Sequence, residues 1–101
     1  MLILVPMDSD DVQEASLVSL NDVKKWALLN VEEGQLVEVT HYDNREDINE
    51  WIEVVVVINE QEYVFPFMEE QIMVLVAPMQ RSIDDIVEAY LFRELHEMPF
   101  S

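Results

Sequence analysis

Residues 54–58, four valines and an isoleucine in a row, constrain this chain more than any other feature. The run sits inside Glu-Val-Val-Val-Val-Ile-Asn (53–59), has no polar face and is β-branched throughout. β-branched side chains suit a pleated backbone, and a strand without a polar face must be covered on both sides. Two further apolar runs have the same character. Residues 1–7 read Met-Leu-Ile-Leu-Val-Pro-Met, and residues 71–77 read Gln-Ile-Met-Val-Leu-Val-Ala, ended by Pro78. Three buried strands spread along one short chain predict the interior of a single layered sheet.

The segments between them supply the rest. Asp8, Ser9, Asp10 and Asp11 stop the first strand with turn-forming side chains. Residues 12–22 show no clear period and are expected to form a loop with room for a helical turn. Residues 23–32 and 35–42 flank Glu33-Gly34, and Gly34 is the only glycine in the chain. That pattern predicts a β-hairpin in which Gly34 supplies a positive φ. In residues 43–52, Ile48, Trp51 and Ile52 fall at i, i+3 and i+4, predicting a short amphipathic helix capped by Asp43 or Asn44. Residues 60–70 carry Pro66 among Tyr63, Val64, Phe67 and Met68. A short irregular helix is expected there, the competing assignment being a strand over 62–67. Residues 82–96 predict the clearest helix, with Ser82 as N-cap, Asp85 at the capping-box position and Pro99 at its end. The order β, ββ hairpin, α, β, α, β, α makes one α/β domain over residues 1–101, its sheet covered on both faces.

Charge restricts partners. Five Lys and Arg face 22 Asp and Glu, a formal net charge of −17. Such a surface repels phosphate backbones and anionic membranes, so neither nucleic acid nor a membrane is an expected partner. Basic protein surfaces and cations suit it. No apolar run approaches the ~20 residues of a membrane helix. The apolar opening has no basic region and is followed at once by acidic residues, so it does not read as a signal peptide; a cytoplasmic location is expected. The absence of cysteine excludes disulfides, thiolate metal sites and a cysteine nucleophile.

Few constellations carry chemistry. His41 with Asp43 is the candidate metal pair at the end of the hairpin, set against the simpler reading of a hairpin-edge histidine. His96 is expected near the end of the last helix, facing its dipole as a cation. Asp8, Asp10 and Asp11 follow the first strand, where open α/β sheets bind ligands and where Mg²⁺-dependent nucleases place carboxylates. Their spacing equally fits a turn with capping aspartates, and a nuclease needs more than five basic residues. Ser9, Ser16, Ser19 and Ser82 lack a histidine at a telling position, and one glycine cannot build a phosphate-cradling loop. Among the aromatic residues, Phe65, Phe92 and Phe100 fall off the expected buried stripes and are the interface candidates.

Four pieces of the chain, in order, are "MLILVPMD", "VSLNDVKKWALLNVEEGQLVEV", "INEWIEVVVVIN" and "SIDDIVEAYLFREL". Together they resemble the dinitrogenase iron–molybdenum cofactor biosynthesis family, the nitrogenase accessory factor-like proteins. The resemblance implies a three-layer α/β/α fold with a ribonuclease H-like motif. It implies a five-stranded mixed sheet with one antiparallel strand. It also implies a non-catalytic role, in some members the binding or carriage of a metal-cluster cofactor. This chain departs from the family pattern where a ligand would sit. Leu20-Asn21-Asp22 replaces His-Phe-Gly, and Asn59-Glu60-Gln61-Glu62 replaces a Gly-x-x-Gly turn. Glycines allow a ligand to approach the backbone, and four bulky side chains do not.

Three functions are expected in descending order. The first is a binding or interaction domain without a cofactor, acting through a protein partner or a homo-oligomer. The second is a carrier or chaperone of an iron–molybdenum or other metal cluster. The third is an acidic mimic of nucleic acid that binds a basic protein. No enzymatic activity is expected.

Overall fold

The computed structural model describes residues 1–98. The described residues form a six-stranded mixed sheet in the order β3-β2-β1-β4-β5-β6. The strands are β1 (Leu2–Met7), β2 (Lys25–Glu32), β3 (Gln35–Tyr42), β4 (Val54–Val57), β5 (Met73–Val76) and β6 (His96–Glu97). β1, β4 and β5 run parallel, while β2 is antiparallel to both β1 and β3, and β6 is antiparallel to β5.

The valine run lies where its composition requires. β4 sits between β1 and β5, and all four of its valines are buried. Val54 and Val56 join a cluster with Ile3, Val5, Met7, Ala27, Leu29, Ile83 and Ile86. Val55 and Val57 join a second cluster with Leu4, Leu28, Val64, Phe67, Ile72 and Val74. Alternate side chains thus feed two separate cores, one on each face. Burying each valine contributes roughly 1.5–3 kcal/mol relative to leaving it in water. No polar or charged residue is buried among the described residues.

Each core has its helix. α2 (Ile83–Leu91) presents Ile83, Ile86 and Val87 to the first core, and the 15–17 segment adds Ala15 and Leu17. Ser82 caps it, its Oγ accepting from the Asp85 N–H at 3.1 Å. α1 (Phe65–Glu69) sends Phe67 into the second core. Pro66 occupies its first turn, where the missing N–H costs nothing. The hairpin closes through Glu33 and Gly34, at φ 51° and 78°, the two left-handed positions of a type I′ turn. A bulge then opposes Asn30 to Glu38 and Val31 to Leu36, leaving Val37 unmatched on the outer strand.

Three expectations need correction. The 43–52 helix is a single 3₁₀ turn, Arg45–Asp47, followed by non-helical chain. Ile48 and Ile52 still pack on the second core, but Trp51 points outward. Ile48 and Ile52 share a face at a period of two as well as at a period of 3.6, and ten residues are too few to hold a helix without tertiary support. The last helix ends at Leu91, not at 96. Arg93 takes a left-handed φ of 59°, and the Glu94 N–H donates to the Ala89 carbonyl at 2.8 Å while the Arg93 N–H donates to Tyr90 at 3.2 Å. These are the paired bonds of a Schellman stop. The chain freed by that stop forms β6, so the sheet has six strands, not five, and His96 belongs to an edge strand instead of a helix end. Pro99 lies outside the described residues.

Candidate interaction surface

Ligands of open α/β sheets gather beyond the C-terminal ends of the parallel strands. Here that rim is built from the loops after β1, β4 and β5. Several of its polar side chains are bound within the protein's own loops. Asp8 Oδ1 accepts from the Ser16 N–H at 2.8 Å, and Asp11 Oδ1 accepts from Gln13 and Glu14 at 2.9 and 3.1 Å. Asn59 Oδ1 accepts from the Gln61 N–H at 2.9 Å. Glu62 accepts from the Ser19 hydroxyl at 3.2 Å and the Leu20 N–H at 3.0 Å, stitching two loops together. The Arg81 guanidinium donates to the carbonyls of Ala77, Pro78 and Gln80. A shallow cavity of about 570 Å³ remains between Ile58, Asn59, Pro78, Arg81 and His96.

The hairpin end is organised around a cation. The Lys25 ammonium donates to Asp43 Oδ1. That hydrogen bond, then the charge of Asp43, holds the Lys25 pKa above the ordinary 10.5, with Asp10 adding a smaller push. Asp43 is therefore engaged by Lys25. His41 stands opposite Ala27 in the sheet, and its Nε2 is buried without a hydrogen-bond partner. Among the described residues no group of three or more His, Asp or Glu side chains is placed to hold a metal ion. An iron–molybdenum cluster wants thiolate or imidazole ligands in a rim with free donors. This rim offers no cysteine and a single imidazole, His96, and no group of three donors among the described residues converges there, so its residues do not fit the cluster and no step is derived through one.

The expected interface residues do not form one patch. Phe65 opens α1 and is 57% exposed, whereas Phe92 caps α2 and is 72% exposed; their helices cover opposite faces of the sheet. Phe92 borders a groove of about 530 Å³ with Gly34, Leu36, Val87 and Leu91. Phe100 lies outside the described residues.

The face of α1 carries more. Trp51 and Tyr63, 76% and 74% exposed, were placed by the sequence pattern in helical segments and not among the interface candidates. Trp51 borders a trough of about 440 Å³ floored by Ile48, Ile52 and Ile72. Tyr63 borders an adjoining hollow of about 280 Å³ with Leu20, Trp26 and Phe67. Arg45 and Glu46 line both. Arg45 stacks over the Phe67 ring, 4.5 Å from its centroid, and donates to Glu70 at 2.5 Å. Aromatic side chains and arginine on an apolar floor form the composition typical of protein interfaces. The only sequence signal for it was a tryptophan between Glu50 and Glu53, read there as part of a helical stripe.

No family model and no curated protein matches the chain. Solved structures do match it. A crystal structure of a "putative dinitrogenase" from Methanocaldococcus jannaschii, at 1.70 Å, superposes with a TM-score of 0.76 at 15% identity over 100% of this chain and 97% of that one. An NMR structure of the Methanococcus jannaschii protein gives a TM-score of 0.77 at 15% identity, over 100% and 95% of the two chains. The crystal structure of PH0822 gives 0.73 at 13% identity over 96% of each. The chain therefore has a dinitrogenase-like fold. No helix among the described residues is long and apolar enough to cross a membrane.

Proposed function

We propose that this chain is a non-catalytic protein-binding domain, on a scaffold of the iron–molybdenum-cofactor-biosynthesis type, that acts in the cytoplasm. The strand order β3-β2-β1-β4-β5 with β2 reversed supports a ribonuclease H-like version of that scaffold. One observation carries the functional reading. Asp8, Asp11, Asn59, Glu62 and Arg81 at the ligand-binding rim bond to the protein's own loops, while Trp51 and Tyr63 stand in solvent beside hollows floored by apolar side chains on the α1 face. Groups held by local hydrogen bonds are less free to turn toward a substrate, whereas exposed aromatic side chains gain free energy when a partner covers them.

The test is isolation of the native complex. The tagged chain, expressed at its natural level, is expected to co-purify with one protein in fixed stoichiometry, and purified partner and chain are expected to reconstitute a single species by sedimentation. A chain that stays monomeric and reconstitutes with nothing it co-purifies with overturns the reading. So does a stoichiometric absorbance change on titration with iron and molybdate, which points to the carrier instead.

A further inference from the structure

We propose that the trough beside Trp51 docks an extended basic segment of the partner protein, with an apolar side chain seated on Ile48, Ile52 and Ile72 and a lysine or arginine held between Trp51 and the carboxylates of Glu46 and Glu50. This rests on the protein-binding reading above and names the site and chemistry of the partner.

The charge pattern selects the occupant. Three carboxylates and one cation line the trough. Arg45 is committed to Glu70 and to the ring of Phe67. Glu46 and Glu50 make no ion pair among the described residues. The trough therefore presents two uncompensated carboxylates beside the exposed face of an indole. A cation against an indole gains roughly 0.5–2 kcal/mol, more as water is excluded, and a neighbouring carboxylate adds to it. The isoleucine floor requires an apolar anchor beside that cation. A second copy of this chain is disfavoured as occupant because each copy carries a net charge of −17. Nucleic acid is disfavoured by the same sign.

The probe is a phage-displayed library of random twelve-residue peptides, panned on the full chain. Enriched peptides are expected to carry Lys or Arg one or two positions from Leu, Ile, Met or Phe. Synthetic versions are expected to shift the amide resonances of residues 45–53 and 69–72 and the indole of Trp51. The exposed Trp51 can be truncated without touching either core, so Trp51→Ala should fold and bind at least about tenfold more weakly, the loss expected of one interface hot spot. A Glu46→Gln/Glu50→Gln variant should bind more weakly and with a shallower salt dependence. No enrichment, enrichment of acidic or purely apolar peptides, or equal affinity for the Trp51→Ala chain overturns the proposal. Peptides that bind saturably at the Gly34–Phe92 groove would sink the trough while leaving the protein-binding reading standing.

Discussion

The guanidinium of Arg45 lies 4.5 Å from the centroid of the Phe67 ring. That contact joins the 3₁₀ turn to α1, two elements of few residues each that cannot stand alone. The accompanying bond to Glu70, 2.5 Å long, sits at a surface where half of the Glu70 side chain meets water. A pair so exposed contributes at most about 1 kcal/mol, and the stack on the ring contributes a comparable amount. Arg45→Ala is expected to cost about 1–2 kcal/mol in urea unfolding at 25 °C, and Arg45→Lys about half of that, because lysine keeps the charge and loses the planar stack. A loss below about 0.3 kcal/mol for Arg45→Ala would mean the contact holds nothing.

Valines test the two-core arrangement. Val56 is wholly buried in β4, whereas Val37, on the bulge of the edge strand, is 54% exposed. Val56→Ala removes two methyl groups and leaves a cavity, so a loss of about 2 kcal/mol is expected. Val37→Ala should change stability by no more than about 0.5 kcal/mol. Equal losses in chemical denaturation would contradict the burial assigned to β4.

The strands were legible because their signal is redundant. Val54 to Val57 are β-branched, unbroken by polar residues and short, and each property alone argues for a central strand. The hairpin was legible from Gly34, and α2 from Ser82. The errors share a cause. The stop of α2 rests on Arg93 in a left-handed conformation that glycine ordinarily marks, so the sequence carried no sign of it, and β6 was hidden behind the missing stop. The interaction surface was harder still. Arg45 meets Phe67 and Glu70 across more than twenty residues of chain, and no local spacing encodes that meeting. Trp51 was assigned inward because Ile48 and Ile52 are inward; only the extended backbone separates them.

The hairpin turn can be improved. Glu33 holds a φ of 51°, a conformation that asparagine adopts more readily, and its carboxylate adds to an already large negative charge. Glu33→Asn creates the Asn-Gly pair favoured in type I′ turns and is expected to raise stability by about 0.5–1 kcal/mol. Gly34→Ala is expected to lower it by about 1–2 kcal/mol. A methyl group at that position meets no atom within 4 Å, so the loss reports backbone conformation and not a clash. A thermal melt in which Glu33→Asn lowers Tm would show that the carboxylate has a role in the turn.

Lys25 and Asp43 predict an alkaline limit. Its bond to Asp43 and the charge of that carboxylate raise the folded-state pKa of Lys25 above 10.5, against a partial opposing effect of desolvation. Because the folded form holds the proton more tightly than the unfolded chain, this contribution is fully present below pH 10.5 and is lost as the pH rises through the higher folded value. The stability gap between the natural chain and Lys25→Met should therefore be constant through neutral pH and close above pH 10.5, as urea unfolding at a series of alkaline pH values will read. Asp43→Asn should narrow the same gap at neutral pH, since the neutral amide keeps a weaker acceptor and no charge. A Lys25→Met gap that persists unchanged beyond the titration of lysine would mean that Lys25 acts through the packing of its methylene stem and not through its ammonium.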